Sequence, residues 1–142
     1  MKTAKELYTD DDYTEDDDYH YFSGDYQPML NEFGEILLQV DDNNYQGDTR
    51  VLYRDGTRYG WLNFGWGSCS GCDALQACHT IEQIQSLMDS LYSEITWFDS
   101  ATTAIEFFKT HDWKGDYSWG EAEQQHFVKE AIAKLEAEVS KQ

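Results

Sequence analysis

The sequence predicts an α+β fold: a three-stranded antiparallel meander, then about three helices packed on one face, all preceded by an acidic N-terminal arm. Three observations carry this. Asp-Gly stands between two β-rich runs, helical apolar periodicity begins only after Gly71, and residues 1–27 are acidic and short of aliphatics. The expected division is an arm over 1–27 and a single α+β domain over 28–142.

Taken in order, the arm comes first. No Lys or Arg stands between Lys5 and Arg50, an interval that holds 14 carboxylates. Its centre is a near-repeat, Asp10-Asp11-Asp12-Tyr13-Thr14-Glu15-Asp16-Asp17-Asp18-Tyr19. Composition of this kind makes a solvated tail, or an arm that orders on a partner.

Strands follow. Glu35-Ile36-Leu37-Leu38-Gln39-Val40 is β-rich and ends at the polar loop Asp41-Asp42-Asn43-Asn44. The runs 49–54 and 57–64 flank Asp55-Gly56, a strong hairpin signal because a type I′ turn needs φ > 0 at both central residues. Ile81, Ile84, Leu87, Met88, Leu91 and Ile95 then form an amphipathic stripe, with Thr80 placed to cap it. A short helix is expected over 100–109. A longer one of about 20 residues should carry Val128, Ile132, Leu135 and Val139 and end near Lys141.

Composition bounds the function. The 142 residues suit one domain that buries about two thirds of its chain surface. Apolar content of 40%, with 5 Trp, 10 Tyr and 7 Phe, argues against global disorder. Twenty-eight carboxylates against 10 cations give a net charge of -18, far beyond that of an ordinary small domain. That charge repels nucleic acid and anionic membranes, so neither is expected as a direct partner. It points to a basic protein surface or a cation. No apolar stretch approaches the ~18 residues of a membrane span, and Met1-Lys2-Thr3-Ala4-Lys5 leads into acid rather than an apolar signal core. Three clustered cysteines make a poor disulfide framework, so a reducing cytoplasm is the simplest expectation.

The arm carries the leading site. An extended chain advances ~3.3 Å per residue, close to the ~3.4 Å phosphate spacing of one DNA strand. Asp10, Asp11, Asp12, Glu15, Asp16, Asp17 and Asp18 would then stand for phosphates, while Tyr13, Tyr19 and Tyr21 stack on arginine guanidinium groups of a basic groove. A solubilising tail is the plain alternative, and cation binding a third. Trp113 and Trp119 lie in a Gly-containing loop and would serve as interface anchors if exposed; otherwise they join a bulky aromatic core.

Other chemistry is weakly signalled. Cys69, Cys72 and Cys78 could ligate zinc, but Cys78 and His79 are adjacent and would diverge by about 100° on a helix. His111 or His126 would have to complete the set. A redox C-x-x-C lacks its usual βαβ setting, which leaves small residues turning a strand sharply into a helix. Asp42-x-Asn44-x-Gln46-Gly47 resembles the start of a calcium loop, yet Tyr53 stands where a bidentate Glu is needed. No nucleophile–base spacing, G-x-S-x-G or phosphate loop is present, so the expected protein is not an enzyme and carries no cofactor.

The block Tyr59-Gly60-Trp61-Leu62-Asn63-Phe64-Gly65-Trp66-Gly67-Ser68-Cys69-Ser70-Gly71-Cys72-Asp73-Ala74-Leu75-Gln76-Ala77-Cys78 resembles a stretch of small acidic uncharacterised proteins of bacteriophages and bacteria. The resemblance covers about residues 33–130, omits the arm, and brings no activity to any residue. It implies a phage setting, in which small acidic proteins block host nucleases. The resulting expectation is an anti-CRISPR or anti-restriction inhibitor: a nucleic-acid mimic in the host cytoplasm that occupies the basic surface of a host nuclease or effector complex. The runners-up are a metal- or thiol-dependent protein on Cys69, Cys72 and Cys78, and a soluble phage accessory domain with a merely solubilising tail.

Overall fold

A computed structural model of the chain describes residues 1–9, 25–42, 47–67, 73–113 and 121–141, and the backbone of 13–16 and 19–22. In chain order these form α1 (Ala4–Leu7), β1 (Tyr13–Asp16), β2 (Tyr19–Phe22), α2 (Gln27–Glu32), β3 (Glu35–Asp41), β4 (Gly47–Asp55), β5 (Arg58–Trp66), α3 (Ile81–Ser93), β6 (Thr96–Phe98), α4 (Ala101–Thr110) and α5 (Glu121–Ser140). The main sheet is antiparallel with order β3-β4-β5-β6, and β1 pairs with β2 in a separate ribbon.

The predicted meander is therefore present, with β6 added at its far edge. The hairpin forms one residue later than expected. Asp55 pairs with Arg58, so the loop residues are Gly56 and Thr57, and Gly56 takes φ 63 as the primed turns require at their first central position. Thr80 and Ser100 cap α3 and α4 by accepting from Gln83 N and Thr103 N. Ile95 leaves the α3 stripe and sits just before β6.

Helices cover both faces of the sheet rather than the single face expected. Val51, Tyr53, Leu62 and Phe64 pack against α1, α2 and α3, whereas Leu52, Tyr59 and Trp61 pack against α4 and α5. The reason lies in β4, where Thr49 to Tyr53 are all buried, so both of its sides need cover. A register shift between Ile36 and Leu38 splits β3 between the layers: Ile36 joins the first cluster, Leu38 and Val40 the second.

The first residues are not arm. Ala4 is 0% exposed and Tyr8 3%, and both belong to the α3-side core. The Ala4 amide donates to Gln85 Oε1 at 2.7 Å. Apolar burial at two small sites outweighs the acidic composition around them, so a boundary at residue 27 does not describe residues 1–9.

Candidate functional site

The acidic segment leaves and re-enters the fold at one point. The Tyr8 hydroxyl donates to the Asp25 carbonyl at 2.9 Å, and Asp25 Oδ1 accepts the Gln27 amide at 2.8 Å as α2 begins with Pro28 in its first turn. Between these ends the backbone doubles back, with Thr14 opposite Tyr21, Glu15 opposite His20 and Asp16 opposite Tyr19. The extended, linear spacing expected for Tyr13, Glu15, Asp16, Tyr19 and Tyr21 is thereby replaced by a ribbon, whose strands stand ~4.8 Å apart. Asp10, Asp11, Asp12, Asp17 and Asp18 lie outside the described residues.

Beside the Asp25 root opens a groove of about 610 Å³, walled by Tyr26, Trp66 and Gln39 and bearing Asp25, Asp41, Asp42 and Asp73. Asp73, which no motif singled out, ties it together. Its Oδ1 accepts from Tyr26 Oη at 2.9 Å, Leu75 N at 2.9 Å and Gln76 N at 3.1 Å, and its Oδ2 accepts from Gly67 N at 3.0 Å. Burial, and then the Asp73 charge, push the Tyr26 phenol above its ordinary value and keep it a donor. An aspartate opening the turn 74–77 was the available signal, because such a residue caps free amides.

Asp42 is committed elsewhere. Its Oδ1 takes Arg50 Nη1 at 2.7 Å, and its Oδ2 takes the Asp48 amide at 2.8 Å, all of them buried. A Cβ at Gly47 would stand 2.5 Å from Asp42 Cβ, which fixes glycine there. The calcium-like fragment is thus the end of β3 clamped onto β4, with Asn44 and Gln46 outside the described residues. Asp41 stays exposed at the rim and accepts Thr49 Oγ1 at 2.7 Å; Thr49 Oγ1 in turn accepts Trp66 Nε1 at 2.9 Å. No lysine or arginine lines the groove among the described residues.

All three arginines of the chain pair with carboxylates inside it. Arg54 bridges Glu35 at 2.5 Å and Glu138 at 2.9 Å, and Arg58 meets Asp55 at 2.8 Å while standing 3.9 Å over the Trp97 ring. Burial would raise the Glu138 carboxyl, but its bond to Arg54 and the nearby Lys141 outweigh that and hold it below its ordinary value. Every lysine except Lys2 and Lys5 follows residue 108, so α2 and α3 carry none.

The remaining expected sites separate. Cys78 is a buried free thiol whose Sγ lies 3.4 Å from the Ala74 carbonyl, and burial followed by the Asp73 charge pushes it up. Cys69 and Cys72 are outside the described residues, among which no group of three or more His, Cys, Asp or Glu could hold a metal ion. Trp113 is half-buried. Its Nε1 donates to the Phe108 carbonyl at 2.9 Å, and its ring stacks on Phe108 at 5.5 Å, so it closes α4 while part of its surface stays open. Trp119 is outside the described residues. Among them, no helix is long and apolar enough to cross a membrane.

No family model matches the chain, and no curated protein or solved structure is significantly similar to it.

Proposed function

We propose that this protein is a non-enzymatic acidic binder that occupies the basic, nucleic-acid-binding surface of another protein, of the kind found in host nucleases and effector complexes. The observation that carries the reading is the segregation of charge. No lysine or arginine lines the groove among the described residues, and α2 and α3 carry no lysine. The cations nearby are few: Lys5 lies on α1, Lys2 just before it, and Arg58, which reaches the edge of the layer, is engaged by Asp55 and Trp97. The acidic segment is rooted in the rim of that layer at Asp25. A partner approaching from this side meets carboxylates that the fold itself does not neutralise, the condition for fast, salt-sensitive association.

In this reading Asp10–Asp12 and Glu15–Asp18 take the place of phosphates, and Tyr13, Tyr19 and Tyr21 stack on basic side chains. A zinc or thiol protein built on Cys69, Cys72 and Cys78 is less well supported, because Cys78 is buried with its Sγ against the Ala74 carbonyl. The test is capture from a host lysate at low and high salt, followed by release of labelled nucleic acid from the captured protein. The protein should displace the nucleic acid and fail to shift free duplex DNA; tight binding to the duplex itself would end the proposal.

A further inference from the structure

The acidic groove opens at the end of an edge strand. β3 is the outer strand of the four-stranded sheet, and no described residue bonds to the outer side of its backbone. β6, at the opposite edge, has only three residues, too short to offer much. β3 has seven, contains neither Lys nor Pro, and leaves Ile36, Leu37, Leu38 and Val40 half-buried. Charge, proline or extreme brevity normally blunts such an edge. Here only the terminal residues, Glu35 and Asp41, are charged, and both are acidic.

That charge pattern selects the occupant. A second copy pairing antiparallel about Leu38 would set Glu35 against Asp41 at both ends, and like charges directly opposed across strands destabilise. A segment with basic ends meets acid at both, more fully at Asp41, because Glu35 already bonds Arg54 through one carboxylate oxygen. At one end lies Asp41, with Asp25 across the groove; at the other lies Glu35, half-shared with Arg54.

We infer that β3 takes up an extended segment of the protein partner by strand addition, the segment carrying apolar residues in its middle and Lys or Arg at its ends. The main chain supplies hydrogen bonds to the free β3 edge, and the terminal cations supply register. This deepens the reading above and rests on it for the partner being a basic protein.

The test uses the full chain and the synthetic peptide Ac-Arg-Thr-Val-Thr-Val-Thr-Arg-NH2, followed by fluorescence and by hydrogen exchange. Saturable binding should slow exchange in the amides of residues 35–41. Methylating alternate peptide nitrogens, tried in both registers, should weaken binding about tenfold in one of them, since main-chain bonds carry the affinity. Replacing both arginines with glutamate, or Asp41→Asn in the protein, should weaken it severalfold at low salt. Absence of binding, protection elsewhere than 35–41, or indifference to both methylation patterns would overturn the inference. So would concentration-dependent protection of β3 without peptide, which would make a second copy the occupant. A chain with Asp10–Asp12 and Asp16–Asp18 changed to Asn separates the two proposals. If it still protects β3 with peptide but no longer displaces nucleic acid, the strand inference and the arm both stand. If it still displaces nucleic acid, the arm fails alone.

Discussion

The Tyr8 hydroxyl holds the Asp25 carbonyl at 2.9 Å, and this one bond closes the base of a segment that begins in the core and returns to it. The acidic residues are therefore carried on a loop anchored at both ends. Anchoring lowers the entropy that a partner must remove on binding, a cost that free tails meet in full.

The anchoring makes a stability prediction. Deleting residues 1–9 removes the buried Ala4 and Tyr8 and should cost about 3 kcal/mol, the scale of an aromatic core truncation. Replacing residues 10–24 with a Gly-Ser linker of equal length should cost far less. Urea denaturation followed by circular dichroism checks both. Equal losses would show that the first nine residues are no more integral than the acidic ones.

Asp73 gives a second. Asp73→Ala would orphan the amides of Gly67, Leu75 and Gln76 and the Tyr26 hydroxyl, at a cost of about 2–4 kcal/mol. Tyr26→Phe removes one donor and should cost about 1 kcal/mol. The comparison is again by urea midpoint, and a smaller loss for Asp73→Ala than for Tyr26→Phe would contradict the hub role.

Glu138 links α5 to β4 through Arg54, with its carboxyl held below the ordinary value of 4.5. A depressed carboxyl stabilises fully above its unfolded pKa and loses that contribution as pH falls through its lower folded value. Glu138→Gln should thus be destabilising at pH 7, by about 1–3 kcal/mol, and the gap from wild type should narrow below about pH 4.5. Taking the difference between the two proteins cancels the global relief of repulsion near the pI of 4.2. A gap that widens in acid would reverse the assigned sign.

Much of the fold was legible because local signals agreed with it. Thr80 and Ser100 are capping residues ahead of apolar stripes, and the helices begin where those caps stand. The Asp55-Gly56 pair located the hairpin but not its register, since the single left-handed position at Gly56 suits either placement until the strands pair. β6 was hidden by its length: Thr96-Trp97-Phe98 is too short to show alternation. Two-sided cover was hidden because β4 carries Thr49 and Arg50 on a buried strand, and only the pairing of Arg50 with Asp42 makes that burial tolerable. The site was less legible. Asp73 draws its partners from residues 26, 67, 75 and 76, a convergence that spacing along the chain does not reveal.

In the proposed complex, carboxylates of the acidic segment stand in for nucleic acid on a basic partner. The direct measurement compares wild type with a chain in which Asp10, Asp11, Asp12, Asp16, Asp17 and Asp18 are all Asn, titrated against the captured partner loaded with labelled nucleic acid. Size and hydrogen-bonding capacity are kept, so any difference reports charge. Thermal stability should be equal, but displacement by the Asn chain should be weakened by about tenfold or more and depend less steeply on salt. Displacement by the Asn chain at wild-type concentrations and with the same salt slope would contradict the proposal.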